Sequence, residues 1–141
     1  MTKPKFVQDM MTPDPITLPK TASLVDAAQK MREAGIGDVV VLDDGAVCGI
    51  VTDRDIVVRG IAEGRDPRST TLAEICSREL TTLSPDDQIG TAARLMREHA
   101  VRRLPVVKRG RPVGILTIGD LAVQQDPESA LADVSAAPPN V

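Results

Sequence analysis

Two short stretches of the chain place a hydroxyl and a carboxylate at the same spacing. Gly49-Ile50-Val51-Thr52 is followed by Asp55, three residues after the threonine, and Gly114-Ile115-Leu116-Thr117 is followed by Asp120 in the same way. A threonine hydroxyl can donate to a phosphate oxygen, and an ionised aspartate can accept both hydrogen bonds of a ribose cis-diol. The pattern therefore suits a ribose phosphate. A threonine followed by an acid at this spacing also resembles a helix-capping box, and the two interpretations are compatible.

The elements that must position these stretches occur twice. A shift of 65 residues aligns the two halves of the sequence without a gap. Met31-Arg32-Glu33 then falls on Met96-Arg97-Glu98, and Gly49-Ile50 falls on Gly114-Ile115. Self-similarity of this extent indicates a tandem duplication of one structural unit.

Each repeat is predicted to fold as β-α-β-β-α. A short extended piece comes first, at Ile16-Thr17-Leu18 and at Thr81-Thr82-Leu83. The helix that follows has apolar residues at i, i+3, i+4 and i+7, which predicts one buried stripe in each copy. The stripes are Leu24, Ala27, Ala28 and Met31, and Ile89, Ala92, Ala93 and Met96. Ser23 is the expected N-cap in the first copy, and Asp86 or Asp87 in the second.

A β-hairpin is expected next in each repeat. Strands are predicted over 39–42 and 47–51, and over 104–107 and 113–116, with Gly45 and Gly110 in the turns, where a positive φ is needed. The second helices are expected to begin near Asp53 and Ile118. The predicted fold class is α/β (α+β).

The predicted boundaries follow from this pattern. They are a first unit at 6–62, a linker at 63–71, a second unit at 72–124 and a partly disordered tail at 125–141. A unit of about 50 residues buries too little surface to be stable alone, so the two units are expected to pack together.

Composition excludes several classes of function. The chain has 141 residues, 17 basic and 20 acidic, and a net charge of −3, so it lacks the basic footprint of a nucleic-acid-binding protein. With one phenylalanine and no tryptophan or tyrosine, it cannot stack bases on aromatic rings. No apolar run approaches membrane-spanning length and no signal peptide is recognisable, so a cytoplasmic protein without membrane contact is expected.

The remaining reactive residues suggest neither metal nor catalysis. His99 is the only histidine and is interpreted as structural, and no set of metal ligands accompanies it. Cys48 and Cys76 align with Val113 and Met11, which favours buried thiols over a redox switch. No nucleophile, base and orienting group occur together, so we expect no enzyme; turnover of ATP or NAD would contradict this.

The repeated motifs resemble a known family. The G-h-h-T-x-x-D ending (h, apolar), present twice after a hairpin, looks like a tandem pair of cystathionine-β-synthase-type (CBS) domains, also called a Bateman module. The stretch from Val101 to Gly110 fits the family's h-x-R-h-P-V-h-x-x-G pattern, and the resemblance covers about residues 6–122. The stretch from Thr52 to Gly60 further resembles stand-alone bacterial CBS pairs, some linked to hypoxia or dormancy responses.

The resemblance implies two units about a pseudo-two-fold axis, with ligand clefts between them. Similar proteins bind AMP, ATP, NAD or S-adenosylmethionine there as regulatory ligands rather than as required cofactors. Carried over to this sequence, Thr52 and Thr117 would hold phosphate or ribose oxygens, and Asp55 and Asp120 the ribose diol. The arginines Arg102 and Arg103 would bind phosphate. The residues expected to flank the base are Ile16, Val39, Leu80 and Leu104.

The two repeats differ in the charged residues at several aligned positions. Gly37-Asp38 stands where the second copy has Arg102-Arg103, so at most one good phosphate site is expected. Arg54, a further candidate ligand residue, aligns with Gly119, which would let the backbone approach a ligand closely. The two arginines can equally be a solvated strand edge.

Two functions follow from the resemblance. The first is a non-enzymatic sensor, a homodimer that binds an adenine nucleotide and signals to an effector protein of unknown identity. The alternative is a protein-interaction or scaffold module with no physiological nucleotide.

Overall fold

The computed structural model describes residues 4–76 and 80–125 of the chain, so most of the predicted tail, residues 126–141, lies outside the described residues. The elements in chain order are a 3-10 helix (Val7–Asp9), β1 (Thr12–Pro13), β2 (Thr17–Pro19), α1 (Leu24–Ala34), β3 (Asp38–Asp43), β4 (Ala46–Thr52), α2 (Asp53–Asp55), a π-helical segment (Ile56–Ile61), α3 (Leu72–Ile75), α4 (Ile89–His99), β5 (Arg103–Lys108), β6 (Arg111–Thr117) and α5 (Ile118–Gln125). The mixed α+β class is confirmed. No helix within the described ranges is both long and apolar enough to cross a membrane.

The chain forms two compact units, which we call the central unit (residues 16–80) and the terminal unit (residues 4–15 with 81–125). These units do not follow the repeats along the sequence. Residues 4–15 pack with the second repeat, whereas the predicted linker 63–71 and α3 pack with the first. The predicted boundaries therefore describe repeats in the sequence, and the packing uses different segments.

The central unit is built on a three-stranded sheet in the order β2-β3-β4. Strand β2 runs parallel to β3, and β3 is antiparallel to β4. The apolar stripe of α1 and two residues of α3 cover this sheet. Its buried core consists of Leu24, Ala27, Met31, Val39, Val41, Val51, Leu72 and Ile75.

The terminal unit has a sheet in the order β1-β6-β5, all antiparallel. The amino-terminal segment is an integral part of this unit, because Val7 is fully buried and its N–H donates to the Asp87 carbonyl oxygen at 2.8 Å. Strand β1 pairs with β6, with Pro13 opposite Gly114. The buried core consists of Val7, Leu83, Ala92, Met96, Leu104, Val106, Leu116 and Leu121.

The helix starts confirm one predicted cap and correct another. Ser23 caps α1 through a capping box, with its hydroxyl accepting from Asp26 N at 3.1 Å. The prediction of Asp86 or Asp87 for α4 is wrong, since the N-cap is Gln88 and makes no side-chain hydrogen bond. The Asp87 carboxylate instead accepts from Ser84 N at 2.8 Å, in the turn before the helix.

Both predicted hairpins form, with Gly45 at φ 84° and Gly110 at φ 79° in their turns. Two other expectations need correction. Ala28 is exposed rather than part of the buried stripe of α1. The extended piece at 81–83 is reduced to a single parallel bridge between Leu83 and Val106, whereas its counterpart in the first repeat forms β2.

Candidate functional site

Each of the two Thr-x-x-Asp motifs forms a strand-to-helix corner. The Thr52 corner (Thr52–Asp55) lies between β4 and α2, and the Thr117 corner (Thr117–Asp120) lies between β6 and α5. At the Thr52 corner, the threonine N–H donates to the aspartate Oδ2 at 2.9 Å, and the aspartate N–H donates to the threonine Oγ1 at 3.1 Å. The same two bonds at the Thr117 corner measure 2.9 Å and 3.1 Å. The predicted capping interpretation is therefore confirmed at both corners.

Capping leaves part of each corner available for other bonds. Each threonine hydroxyl accepts through its oxygen and keeps its own proton to donate. Within the described part of the chain, Oδ1 of Asp120 has no hydrogen bond or ion pair. Oδ1 of Asp55, by contrast, lies 4.0 Å from Arg59 Nε. The threonine and the aspartate of each corner are half-buried.

The residue opposite each threonine on the neighbouring strand differs in charge. Asp38 pairs with Thr52 across β3 and β4, whereas Arg103 pairs with Thr117 across β5 and β6. Directly opposed residues of antiparallel strands carry their side chains on the same face of the sheet. The Thr117 hydroxyl therefore has a cationic cross-strand neighbour, and the Thr52 hydroxyl has an anionic one.

The preceding residue adds to this difference. Gly37 accepts a backbone bond from Asp53 N at 2.9 Å, and Arg102 accepts the equivalent bond from Ile118 N at 2.8 Å. A Cβ built on Gly37 would lie 3.0 Å from Asp53 Oδ2. The first copy therefore cannot carry an arginine at this position unless Asp53 moves.

The surroundings of the two corners are thus opposite in charge. Three carboxylates and two arginines surround the Thr52 corner, namely Asp38, Asp53, Asp55, Arg54 and Arg59. One carboxylate and two arginines surround the Thr117 corner, where Gly119 replaces the exposed Arg54. Arg59 was absent from the candidates drawn from the sequence, although its i,i+4 spacing from Asp55 is a signal for such a pair.

Comparison with known proteins identifies the family. The family model described as "CBS domain" matches residues 7–60 and 72–124. The chain belongs to the CBS-domain family. It therefore contains a CBS pair, which is a regulatory module.

Relatives of similar length support this assignment. The CBS domain-containing protein YhcV of Bacillus subtilis is 38% identical over 133 residues, which cover 92% of this chain and 94% of YhcV. Hypoxic response protein 1 of Mycobacterium tuberculosis is 37% identical over 125 residues, covering 88% of this chain and 87% of that protein. The CBS domain pair of protein MJ0100, crystallised with 5-methylthioadenosine and S-adenosyl-L-methionine, has a TM-score of 0.78 and 27% identity, and covers 88% of this chain and 98% of its own.

The residues predicted to flank a base differ in accessibility. Ile16 packs half-buried against the core of the central unit, and Leu80 is also half-buried. Val39 and Leu104, however, are core residues of their respective units, with 0% and 2% of their surface exposed. These two residues are therefore inaccessible to a ligand in this structure.

The described residues form a groove in the central unit and a smaller hollow in the terminal unit. A groove of about 550 Å³ in the central unit separates the end of α1 from α2 and the π-helical segment. Its lining includes Ile36, Asp53 and Val57, but neither Thr52 nor Asp55. A smaller hollow of about 300 Å³ in the terminal unit lies beside Lys108 and Arg109. The groove therefore borders the Thr52 corner at Asp53, whereas the lining of the hollow includes no residue of the Thr117 corner.

Proposed function

We propose that this CBS pair is a non-enzymatic sensor that binds an adenosine-containing nucleotide at the Thr117 corner. The observation that carries the proposal is the pairing of Arg103 with Thr117 across the hairpin, beside the Asp120 carboxylate, whose Oδ1 has no partner among residues 4–76 and 80–125. Arginine side chains bind phosphate through bidentate, charge-assisted hydrogen bonds. The corner thus offers groups for both a phosphate and a ribose.

In the proposed complex, each group has a distinct task. Arg103 and the exposed Arg102 bind the phosphate oxygens, and the Thr117 hydroxyl donates to a phosphate or ribose oxygen. Oδ1 of Asp120 accepts from the ribose diol while Oδ2 continues to cap α5. Gly119, at the position equivalent to Arg54, adds no side chain to this corner.

The charge around the corner favours phosphate-bearing ligands over uncharged or cationic ones. AMP, ATP and NAD carry the phosphate that two arginines would recognise, whereas S-adenosylmethionine carries none. The adenosine class itself is supported by the MJ0100 pair, which was crystallised with two adenosine derivatives. The nucleotide acts in this proposal as a regulatory ligand and not as a required cofactor.

Signalling requires that the ligand bind one state of the module better than another. We propose that an effector protein reads this shift, and that the module is a homodimer. A second copy suits the groove beside Ile36 and Val57, which are 37% and 58% exposed. Arg32 and Asp53 also line this groove. In a two-fold dimer, Arg32 of one copy would face Asp53 of the other, and the reverse pair would form as well. The groove would therefore be complementary to itself.

Thermal unfolding with a ligand panel tests the nucleotide proposal. The panel is AMP, ADP, ATP, NAD, S-adenosylmethionine and GMP, monitored by calorimetry because the chain has no tryptophan or tyrosine. A ligand at about 100 times its Kd adds about 2.7 kcal/mol, which raises the Tm of a chain this size by several degrees. We expect AMP, ATP or NAD to produce this shift, and S-adenosylmethionine, which has no phosphate, to produce less. GMP carries the same ribose and phosphate as AMP, so its shift measures how far the adenine base itself is recognised.

Asp120→Asn separates ligand binding from capping. An asparagine oxygen can still accept the capping bond from Thr117 N, but its amide cannot accept from a ribose hydroxyl as a carboxylate does. We expect nucleotide affinity to fall about tenfold or more with little change in Tm of the free protein. Asp55→Asn is the matched control and should leave affinity nearly unchanged. Absence of any nucleotide response would overturn the proposal and favour the scaffold alternative.

A further inference from the structure

The two cysteines of the chain pack against the same core in the central unit, although they are 28 positions apart in the sequence. Cys48 is in β4, and Cys76 directly follows α3. Both side chains are half-buried and pack against the same core, which corrects the expectation of buried thiols. The structure holds them as thiols rather than as a disulfide.

The other repeat indicates how close the two side chains are. Cys76 and Gly49 correspond to Met11 and Gly114 in the terminal unit. There, a Cβ built on Gly114 would lie 2.5 Å from Met11 Sδ, so the sulfur rests directly on the glycine. Repeat equivalence therefore predicts that Cys76 lies near Gly49, the neighbour of Cys48.

The second thiol, that of Cys48, lies at a β-bulge and packs against the same core as Cys76. The register of β3 and β4 shifts between Val41 and Leu42, which leaves Cys48 as the extra residue of β4. A bulge interrupts the strict alternation of side chains and re-aims one of them. Burial raises the pKa of the Cys48 thiol most; Cys76 and Asp43 raise it further, and Lys20 opposes them. The two thiols therefore interact electrostatically.

We propose that Cys48 and Cys76 are a thiol-modification site that forms a reversible intramolecular disulfide. The oxidant is a low-molecular-weight disulfide, RSSR. One cysteine thiolate attacks RSSR to give a mixed disulfide and releases RS⁻; the second cysteine thiolate then attacks the mixed disulfide and releases another RS⁻. The two protons lost by the cysteines go to the released thiolates. The two cysteine sulfurs are oxidised, and RSSR is reduced to two RSH.

The disulfide would fasten the end of α3 to β4. The Ile75 carbonyl, next to Cys76, accepts from Arg59 Nη1 at 3.1 Å. Arg59 Nε in turn lies 4.0 Å from Asp55 Oδ1. The oxidation state of the thiols is thus connected through Arg59 to the Thr52 corner, and this connection is independent of nucleotide binding at the Thr117 corner.

The test uses the full chain, equilibrated with mixtures of reduced and oxidised glutathione, quenched with an alkylating agent and analysed by mass spectrometry. We expect a monomeric species that is two hydrogens lighter, takes up no alkylating agent and is restored by dithiothreitol. This species should exceed either glutathione adduct about tenfold, because the second thiol is held at high effective concentration. Oxidation should also raise the Tm.

The double variant Cys48→Val/Cys76→Met is the matched control, because it installs the residues of the other repeat. We expect it to fold and to show no change in Tm on oxidation. Cys76→Met alone should accumulate only a glutathione adduct at Cys48. If the wild-type chain gives mainly glutathione adducts or intermolecular dimers, the proposal is overturned, whatever the variants do.

Discussion

The strands that end at Thr52 and Thr117 lead into the same hydrogen-bonded corner, but the charges facing the two hydroxyls are opposite. The capping distances agree, at 2.9 and 3.1 Å in both units. Across the hairpin, Asp38 faces one threonine and Arg103 faces the other. The comparison shows that the motif itself specifies a helix start. The neighbouring strand specifies the charge that faces the hydroxyl at each corner.

The residues beside the two corners also differ, although the capping hydrogen bonds are the same. Asp55 has Arg59 beside its second oxygen, whereas Asp120 has no partner there among the described residues. Asp53 crowds Gly37 in one unit, whereas Ile118 and Arg102 occupy the corresponding positions in the other. Duplication thus preserved the backbone hydrogen bonds while the surrounding charges diverged.

Reversing the charge opposite the threonine should have the largest effect. Arg103→Asp removes charge-assisted hydrogen bonds and adds repulsion, so we expect AMP affinity to fall about a hundredfold. The reciprocal Asp38→Arg should introduce weak binding at the Thr52 corner. Isothermal titration calorimetry measures both affinity and stoichiometry. Unchanged affinity in Arg103→Asp would show that the cross-strand charge does not decide ligand binding.

Removing the cap should affect both corners equally. Thr52→Val and Thr117→Val each remove the oxygen that accepts from an aspartate N–H, at a cost of about 1 kcal/mol in the free energy of unfolding. Urea unfolding followed by far-ultraviolet circular dichroism measures this loss. Thr→Ser at the same positions is the control that retains the acceptor. A large inequality between the two valine variants would mean that the corners differ in more than charge.

A methyl group at Gly37 should have a smaller effect. In Gly37→Ala, the new Cβ approaches Asp53 Oδ2 at 3.0 Å, and the exposed carboxylate has to shift. We expect Gly37→Ala to lower the free energy of unfolding by about 0.5–1 kcal/mol. The same substitution should cost less when it is made in the Asp53→Ala background. Thermal unfolding of the four proteins in this cycle measures the coupling. Additive losses would contradict the assigned crowding.

The smallest effect is expected from alkaline pH. The folded protein raises the pKa of Cys48 above 9.0, chiefly through burial, so it binds the thiol proton more tightly than the unfolded chain does. This contribution to stability is complete below pH 9.0 and is lost as the pH rises through the folded value. Cys48→Val, which installs the counterpart residue Val113, should flatten this part of the profile under reducing conditions. An identical pH profile in both proteins would contradict the assigned cause.

Much of the fold could be predicted because it depends on close neighbours in sequence. The Ser23 cap and the turns at Gly45 and Gly110 need only a few adjacent residues. The same locality explains two errors. Asp87 has the right type for a cap, but its carboxylate is already bonded to Ser84 N. Ala28 has the right spacing for the core, but it lies on the exposed edge of the α1 stripe.

The residue types of the candidate site could be predicted from the sequence, but the residues that surround them were harder to predict. The capping partners Thr52 and Asp55 are three residues apart, so their contact follows from helix geometry. The placement of Asp38 opposite Thr52 depends on hairpin register, which a bulge shifts by one residue. The predicted base-flanking residues Val39 and Leu104 proved to be in the cores, because their side chains satisfy the packing of each unit.

Local patterns in the chain were thus sufficient for the duplication, the helix starts and the hairpins, since hydrogen bonds within a few residues decide them. Only the folded structure decided which distant segments share a core. Val7 is buried with Leu83 and Val106, and Cys48 shares a core with Cys76, through contacts between residues far apart in sequence. Such contacts depend on how side chains pack and backbone groups pair in three dimensions. The spacing of residues along the chain does not determine them.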